Sequence, residues 1–142
     1  MNGQHFPEVL NPYAALLNSA HEVRNALGES VTNLELALEN EAAKRRTAKE
    51  LRSMYDEAEA EFLAEAVFAA DAKNAEGRKA QVDAALVKAR QSGKLARLWA
   101  QANAAAYDAD DAKTALEQAG KRFRATEAAS DLTAAMLRAE MG

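Results

Sequence analysis

The chain has 142 residues, 49% of them apolar but only 6% aromatic, a formal net charge of −4 and no cysteine. These figures exclude disulfides and thiolate metal sites, and they leave no overall field pulling the protein toward nucleic acid or an anionic membrane. Alanine carries the apolar share and isoleucine is missing altogether, so the composition favours helix over pleated sheet.

Residues 1–11, with Gly3 and Pro7 and no period, read as a flexible N-terminal tail. The tail lacks the basic flank and apolar stretch of a signal peptide, and no run reaches the roughly 18 apolar residues of a membrane span, so the expectation is a cytoplasmic protein with no membrane contact. Asn11-Pro12 is a helix start signal, because Asn accepts bonds from orphan N–H groups and Pro suits the first helical position. From there the reading is one helical hairpin domain over 12–142. Arm one spans about 12–70, the turn about 71–77, a short helix about 75–91 and a long return helix about 94–140.

Arm one carries a heptad seam: Ala20, Leu27, Leu34, Glu41, Ala48, Tyr55, Phe62 and Ala69, with Val23, Ser30, Ala37, Lys44, Leu51, Ala58 and Glu65 as companions. Two readings stand at Gly28. Either it ends a first helix and Thr32 with Glu35 caps a second, or the unbroken seven-residue spacing carries the helix through. Glu41 and Lys44 are expected to lie in water where the partner helix has diverged, the alternative being a polar layer that sets register.

Asp71 to Gly77 breaks the pattern, and Asn74 followed by Ala75 and Glu76 reads as the cap and acidic first turn of a new helix. Lys88, Arg90 and Ser92-Gly93 mark its end. The return helix repeats the seam at Leu95, Ala102, Ala109, Leu116, Phe123, Ser130 and Leu137, with Leu98, Ala105, Ala112, Ala119, Thr126 and Thr133 between them. The expected fold is therefore all-α, an elongated antiparallel helical hairpin or coiled coil.

Alanine-rich layers remove little apolar area from water, whereas a large side chain contributes about 1.5 to 3 kcal/mol when buried. A lone hairpin of this kind is marginal. Apolar residues beside the seam, at Val31, Leu38 and Trp99, widen the stripe beyond what one partner helix covers, which favours self-association into a bundle, most simply a dimer. The candidate interface residues are Leu34, Leu38, Tyr55 and Phe62 on arm one and Leu98, Trp99, Leu116 and Phe123 on the return. Trp99 is read either as core of the single chain or as an anchor between copies.

Chemistry is sparse. The two histidines, His5 and His21, have no second histidine at metal-binding spacing. The acidic clusters at Asp56, Glu57, Glu59 and Glu61 and at Asp108, Asp110 and Asp111 lack the glycine and ligand pattern of a calcium loop and read as solvated faces. No phosphate loop or nucleophile elbow appears. The expectation is no catalytic residue, no cofactor and no metal. Lys44, Arg45, Arg46, Arg78, Lys79, Lys94 and Arg97 are the candidate nucleic-acid contacts, on the expectation that the hairpin brings Lys44–Arg46 beside Lys94–Arg97 as one basic band; charged flanks pairing with neighbouring Glu are the plainer reading.

The run Lys73-Asn74-Ala75-Glu76-Gly77-Arg78-Lys79-Ala80-Gln81, together with Lys121-Arg122-Phe123-Arg124 and the apolar helical ending, resembles small helical-hairpin proteins of tailed bacteriophages. Gly77 stands where those proteins carry an acidic residue. The resemblance covers roughly Tyr55 to Leu137 and implies a phage accessory protein found beside recombination or replication functions. The expected function is thus a non-enzymatic, self-associating helical interaction protein. The alternatives are a nucleic-acid-binding protein, recognised by salt-sensitive DNA binding that Arg45, Arg46, Arg78 or Arg97→Glu weakens, and an adaptor or inhibitor of a host factor.

Overall fold

A computed structural model describes residues 12–141 of the chain. The protein is an all-α helical hairpin of three helices in the order α1 (Pro12–Ala69), α2 (Ala75–Ala89) and α3 (Lys94–Met141), with no strand among the described residues. The expected tail falls on residues 1–11, outside the described residues. None of the described helices is long and apolar enough to cross a membrane.

Helix α1 runs unbroken past Gly28. The Thr32 hydroxyl, available in principle to cap a second helix, instead donates back to the Gly28 carbonyl at 3.1 Å within the same helix, and Leu27, Ser30 and Leu34 stay on one half-buried line. Continuity of the apolar period therefore outweighs the single glycine, whose intrinsic cost is only about 1 kcal/mol.

The turn is stitched by side chains of the helix that follows it. Asn74 has extended backbone and its Oδ1 accepts from the Gly77 N–H at 2.6 Å, the cap that starts α2. Gln81 Oε1 accepts from the backbone N–H groups of Asp71 and Ala72, both at 3.1 Å, while its Nε2 donates to Asp71 Oδ1 at 2.8 Å. Arg78 donates to the Ala72 carbonyl at 3.2 Å. Gly77 is glycine for a steric reason: a Cβ there would stand 2.9 Å from both the Ala72 Cβ and Asn74 Oδ1. The break after α2 needs glycine for a different reason, since Gly93 has φ of +93°, the left-handed region that a side chain disfavours.

The hairpin divides into two compact units, Glu39–Lys113 and the pair Met1–Leu38 with Thr114–Gly142. In the first, Tyr55, Leu95 and Ala102 form the buried cluster, and Leu51, Ala58 and Phe62 of α1, Leu86 and Ala89 of α2, and Leu98 and Trp99 of α3 pack on it. All three helices contribute, so this unit is a small three-helix core rather than a bare two-helix zipper. Ala105 and Ala112 are buried as well and Ala109 is half-buried, so the return seam faces inward as its period requires.

In the second unit α1 and α3 run antiparallel: Ala20, Val23 and Leu27 line one groove with Ser130, Thr133 and Leu137, and Leu34 and Leu38 line another with Leu116 and Phe123. The hydroxyls of Ser30 and Thr126 meet across the seam at 3.3 Å, and Thr126 also donates to its own helix at the Arg122 carbonyl, 2.9 Å away. Seam residues here are half-buried, and among the described residues of this unit none is buried.

Glu41 corrects an expectation. It does not stand in water: its side chain keeps only 13% of its exposure, and it pairs at 3.2 Å with Arg45, which is 70% exposed. Lys44, its companion on the seam, is exposed. Four residues further on in the helix, Arg45 can reach back over Glu41 and partly neutralise it without entering the seam itself.

Candidate interaction surfaces

The most elaborate side-chain arrangement lies in the unit Glu39–Lys113 and centres on Tyr55. The seven-residue seam turns Tyr55 into the three-helix core, where it keeps none of its exposure. Its hydroxyl accepts from Arg90 Nε at 2.8 Å, and Arg90 Nη2 also reaches Glu59 Oε2 at 3.0 Å. The Tyr55 and Trp99 rings meet with centroids 4.9 Å apart and a 54° tilt, an arrangement suited to aromatic quadrupoles. Two guanidinium groups cover the Trp99 ring, Arg90 at 5.4 Å and Arg52 at 5.7 Å from its centroid, and Arg52 also lies 5.5 Å from that of Tyr55. These distances fall within cation–π reach.

The electrostatics follow from that geometry. Burial, and then a hydrogen bond to the Glu59 carboxylate, push the Tyr55 hydroxyl above its ordinary value. Glu59 is held below the usual carboxylate range, first by the Tyr55 hydroxyl and further by Arg90. A proton on Tyr55, a negative charge on Glu59 and a positive charge on Arg90 support one another. Glu59, read from the sequence as part of a solvated acidic face, is thus half-buried and engaged, while Asp56 of the same cluster is exposed and paired with Arg52 at 3.2 Å.

The eight candidate interface residues separate into two groups. Tyr55, Phe62, Leu98 and Trp99 belong to the three-helix core, and Tyr55 is wholly enclosed within the chain. Leu34, Leu38, Leu116 and Phe123 instead line an open groove of about 490 Å³ in the other unit, together with Gly120 and with Glu117, Lys121 and Arg124 as its charged residues. Leu38 keeps 49% of its exposure.

The seven candidate nucleic-acid contacts are all exposed, but they are not assembled as expected. Lys94 lines a hollow with Glu57 and Glu61, not with Lys44, Arg45 or Arg46, which lie roughly 13 residues or about 20 Å further along α1 at 1.5 Å per residue. The return arm starts its climb at the turn, so equal steps along the two arms bring Lys94 opposite the acidic late fifties. Arg78 and Lys79 line a separate hollow with Val67, Ala70 and Val82. The single basic band is therefore replaced by scattered cations, one of them beside carboxylates.

Among the described residues no three His, Asp or Glu side chains cluster as a metal site would need. No family model, curated protein or solved structure matches this chain. The Arg90–Tyr55 tie and the two arginines over Trp99 could not be read beforehand, because the helical period places residues on faces within an element and carries no information on which cation of α2 meets which ring of α1.

Proposed function

We propose that the chain is a non-enzymatic, self-associating helical interaction protein, a phage accessory protein acting beside recombination or replication functions through protein contacts. One observation carries the self-association: α1 and α3 pair over the unit Met1–Leu38 with Thr114–Gly142, yet none of its described residues is buried, and large apolar side chains there remain open, Leu36 at 59% and Leu38 at 49% exposure. A helix pair without an enclosed side chain gains too little from burial to offset the ordering of its backbone, at about 1 to 2 kcal/mol per residue. Further helices laid on it supply the missing core. The likeness of Lys73–Gln81 and Lys121–Arg124 to phage hairpin proteins supports the biological setting, and the scarcity of histidine and absence of cysteine support an interaction role over catalysis.

Sedimentation equilibrium of the full chain tests the central claim. The expected result is twice the mass of one chain at micromolar concentration, dissociating on dilution; a single-chain mass at hundreds of micromolar would overturn it. The setting is tested separately by affinity capture from phage-infected cells, with recombination or replication proteins as the expected partners.

A further inference from the structure

The open groove of the unit Met1–Leu38 with Thr114–Gly142 has a charge pattern that selects its occupant. Its apolar walls are Leu34 and Leu38 from α1 and Leu116 and Phe123 from α3, and its charges are Glu117, Lys121 and Arg124, all on α3. Successive α-helical residues turn by about 100°, so Glu117, Gly120 and Arg124 fall on one narrow stripe of α3, beside the apolar seam. Glu117 and Arg124 are exposed and make no ion pair with any described residue. Gly120 sits between them along the helix, and a Cβ there would meet nothing closer than the Arg124 Nη1 at 3.6 Å. Among the described residues, only the far end of the flexible Arg124 side chain lies against this stretch of backbone, and close approach requires the guanidinium to swing aside toward an opposing carboxylate.

We infer that this groove is a two-fold face between copies of the chain, with the symmetry axis passing close to Gly120 of α3. Two α3 helices crossing antiparallel at Gly120 bring Glu117 of each copy opposite Arg124 of the other, because the two residues lie at nearly equal steps on either side of the glycine. The pattern is self-complementary, as an isologous interface requires. Leu38 and Leu34 of each copy then cover the α3 backbone of the other where glycine leaves room, and the half-open seam gains its enclosing layer. Lys121 flanks the same pair and adds a second donor for the opposing Glu117. An unrelated acidic or basic partner would satisfy only one of the two signs; a second copy satisfies both, twice.

The inference rests on the self-association proposed above, and the experiment separates the two. Sedimentation equilibrium is run on the full chain and on Glu117→Arg, Arg124→Glu, the double swap Glu117→Arg with Arg124→Glu, and Gly120→Leu. Each single reversal places like charges across the axis and should weaken association at least tenfold, while the double swap should restore it to within about threefold of the parent. Gly120→Leu raises intrinsic helix propensity, so loss of association with undiminished helical circular dichroism reports the lost close approach and not unfolding. A dimer indifferent to all four variants overturns the Gly120 face and leaves self-association standing; a parent chain that stays single at hundreds of micromolar overturns both.

Discussion

Arg90 Nε donates a 2.8 Å hydrogen bond to the hydroxyl of Tyr55, tying the residue that caps the C-terminus of α2 to the side chain most deeply enclosed by α1. The bond holds the short middle helix to the arm it follows. Beside it, α2 is attached through the Arg90–Glu59 ion pair, the Arg90 guanidinium over Trp99, the half-buried Leu86 and Ala89, and the stitched turn at Asp71 to Gly77.

The same knot sets a pH dependence with two signs. Glu59 is lowered from 4.5, so its contribution to stability is present above about 4.5 and is lost as pH falls through its folded value. Tyr55 is raised from 10.0, so its contribution is present below 10.0 and is lost as pH rises through its folded value. Urea denaturation midpoints across pH should fall at both ends. Tyr55→Phe should flatten both limbs and cost about 1 kcal/mol near neutrality, the usual net value of a hydrogen bond. A parent profile indistinguishable from that of Tyr55→Phe would contradict the coupling.

Two helical glycines should respond to alanine with opposite signs. At Gly28 a Cβ would enter open space, so Gly28→Ala should raise stability by about 0.5 to 1 kcal/mol through helix propensity and lost unfolded-state freedom. At Gly77 the Cβ would press to 2.9 Å on the Ala72 Cβ and on the Asn74 oxygen that caps α2, so Gly77→Ala should destabilise by about 1 to 2 kcal/mol, the scale of losing an N-cap. Thermal melts of the two variants decide it, and equal signs would refute the steric account of the turn.

The contrast between these glycines shows what a sequence can and cannot reveal. The seams were legible because a period of seven is repeated many times on each arm, and Ala102, Ala105, Tyr55 and Leu95 are buried where that period puts them. The cap at Asn74 was legible from residue chemistry. The roles of Gln81 and Arg78 in the turn were not, because each reaches backbone six to ten residues away through a side chain that any exposed helix could carry. The expected basic band failed for a related reason: charge can be counted along a chain, but which charges come together depends on the register of the arms, and Lys94 shares a hollow with Glu57 and Glu61.

Glu41 should cost the fold stability. Its carboxylate sits on the seam with 13% of its exposure left, neutralised in part by a single arginine that is itself 70% exposed. Glu41→Leu removes the desolvation penalty and adds apolar burial, and should raise stability by about 1 to 2 kcal/mol. Arg45→Ala should change it by no more than about 0.5 kcal/mol, as expected of a helix-surface pair. Urea titration of both variants is the check. Loss of stability in Glu41→Leu would mean that the carboxylate makes bonds the apolar seam cannot replace.

Burial differs between the units enough to predict where the chain opens first. Tyr55, Leu95, Ala102, Ala105 and Ala112 all lie in Glu39–Lys113, and the other unit has no buried residue among those described. Local opening free energy follows the enclosed apolar contacts that must be broken. In hydrogen exchange of the dilute chain, amides between Leu98 and Ala112 should therefore be protected longest, and those between Leu116 and Leu137 should exchange earlier although both stretches belong to α3. Trp99 is the single tryptophan, so its fluorescence follows the better-packed unit alone, and its unfolding midpoint should lie above the one read by circular dichroism. Raising the protein concentration should narrow both gaps, because a partner that binds only the folded groove stabilises it by mass action. Uniform protection along α3, at every concentration, would show that the half-open seam is as stable as the three-helix core, and the need for an added layer would vanish with it.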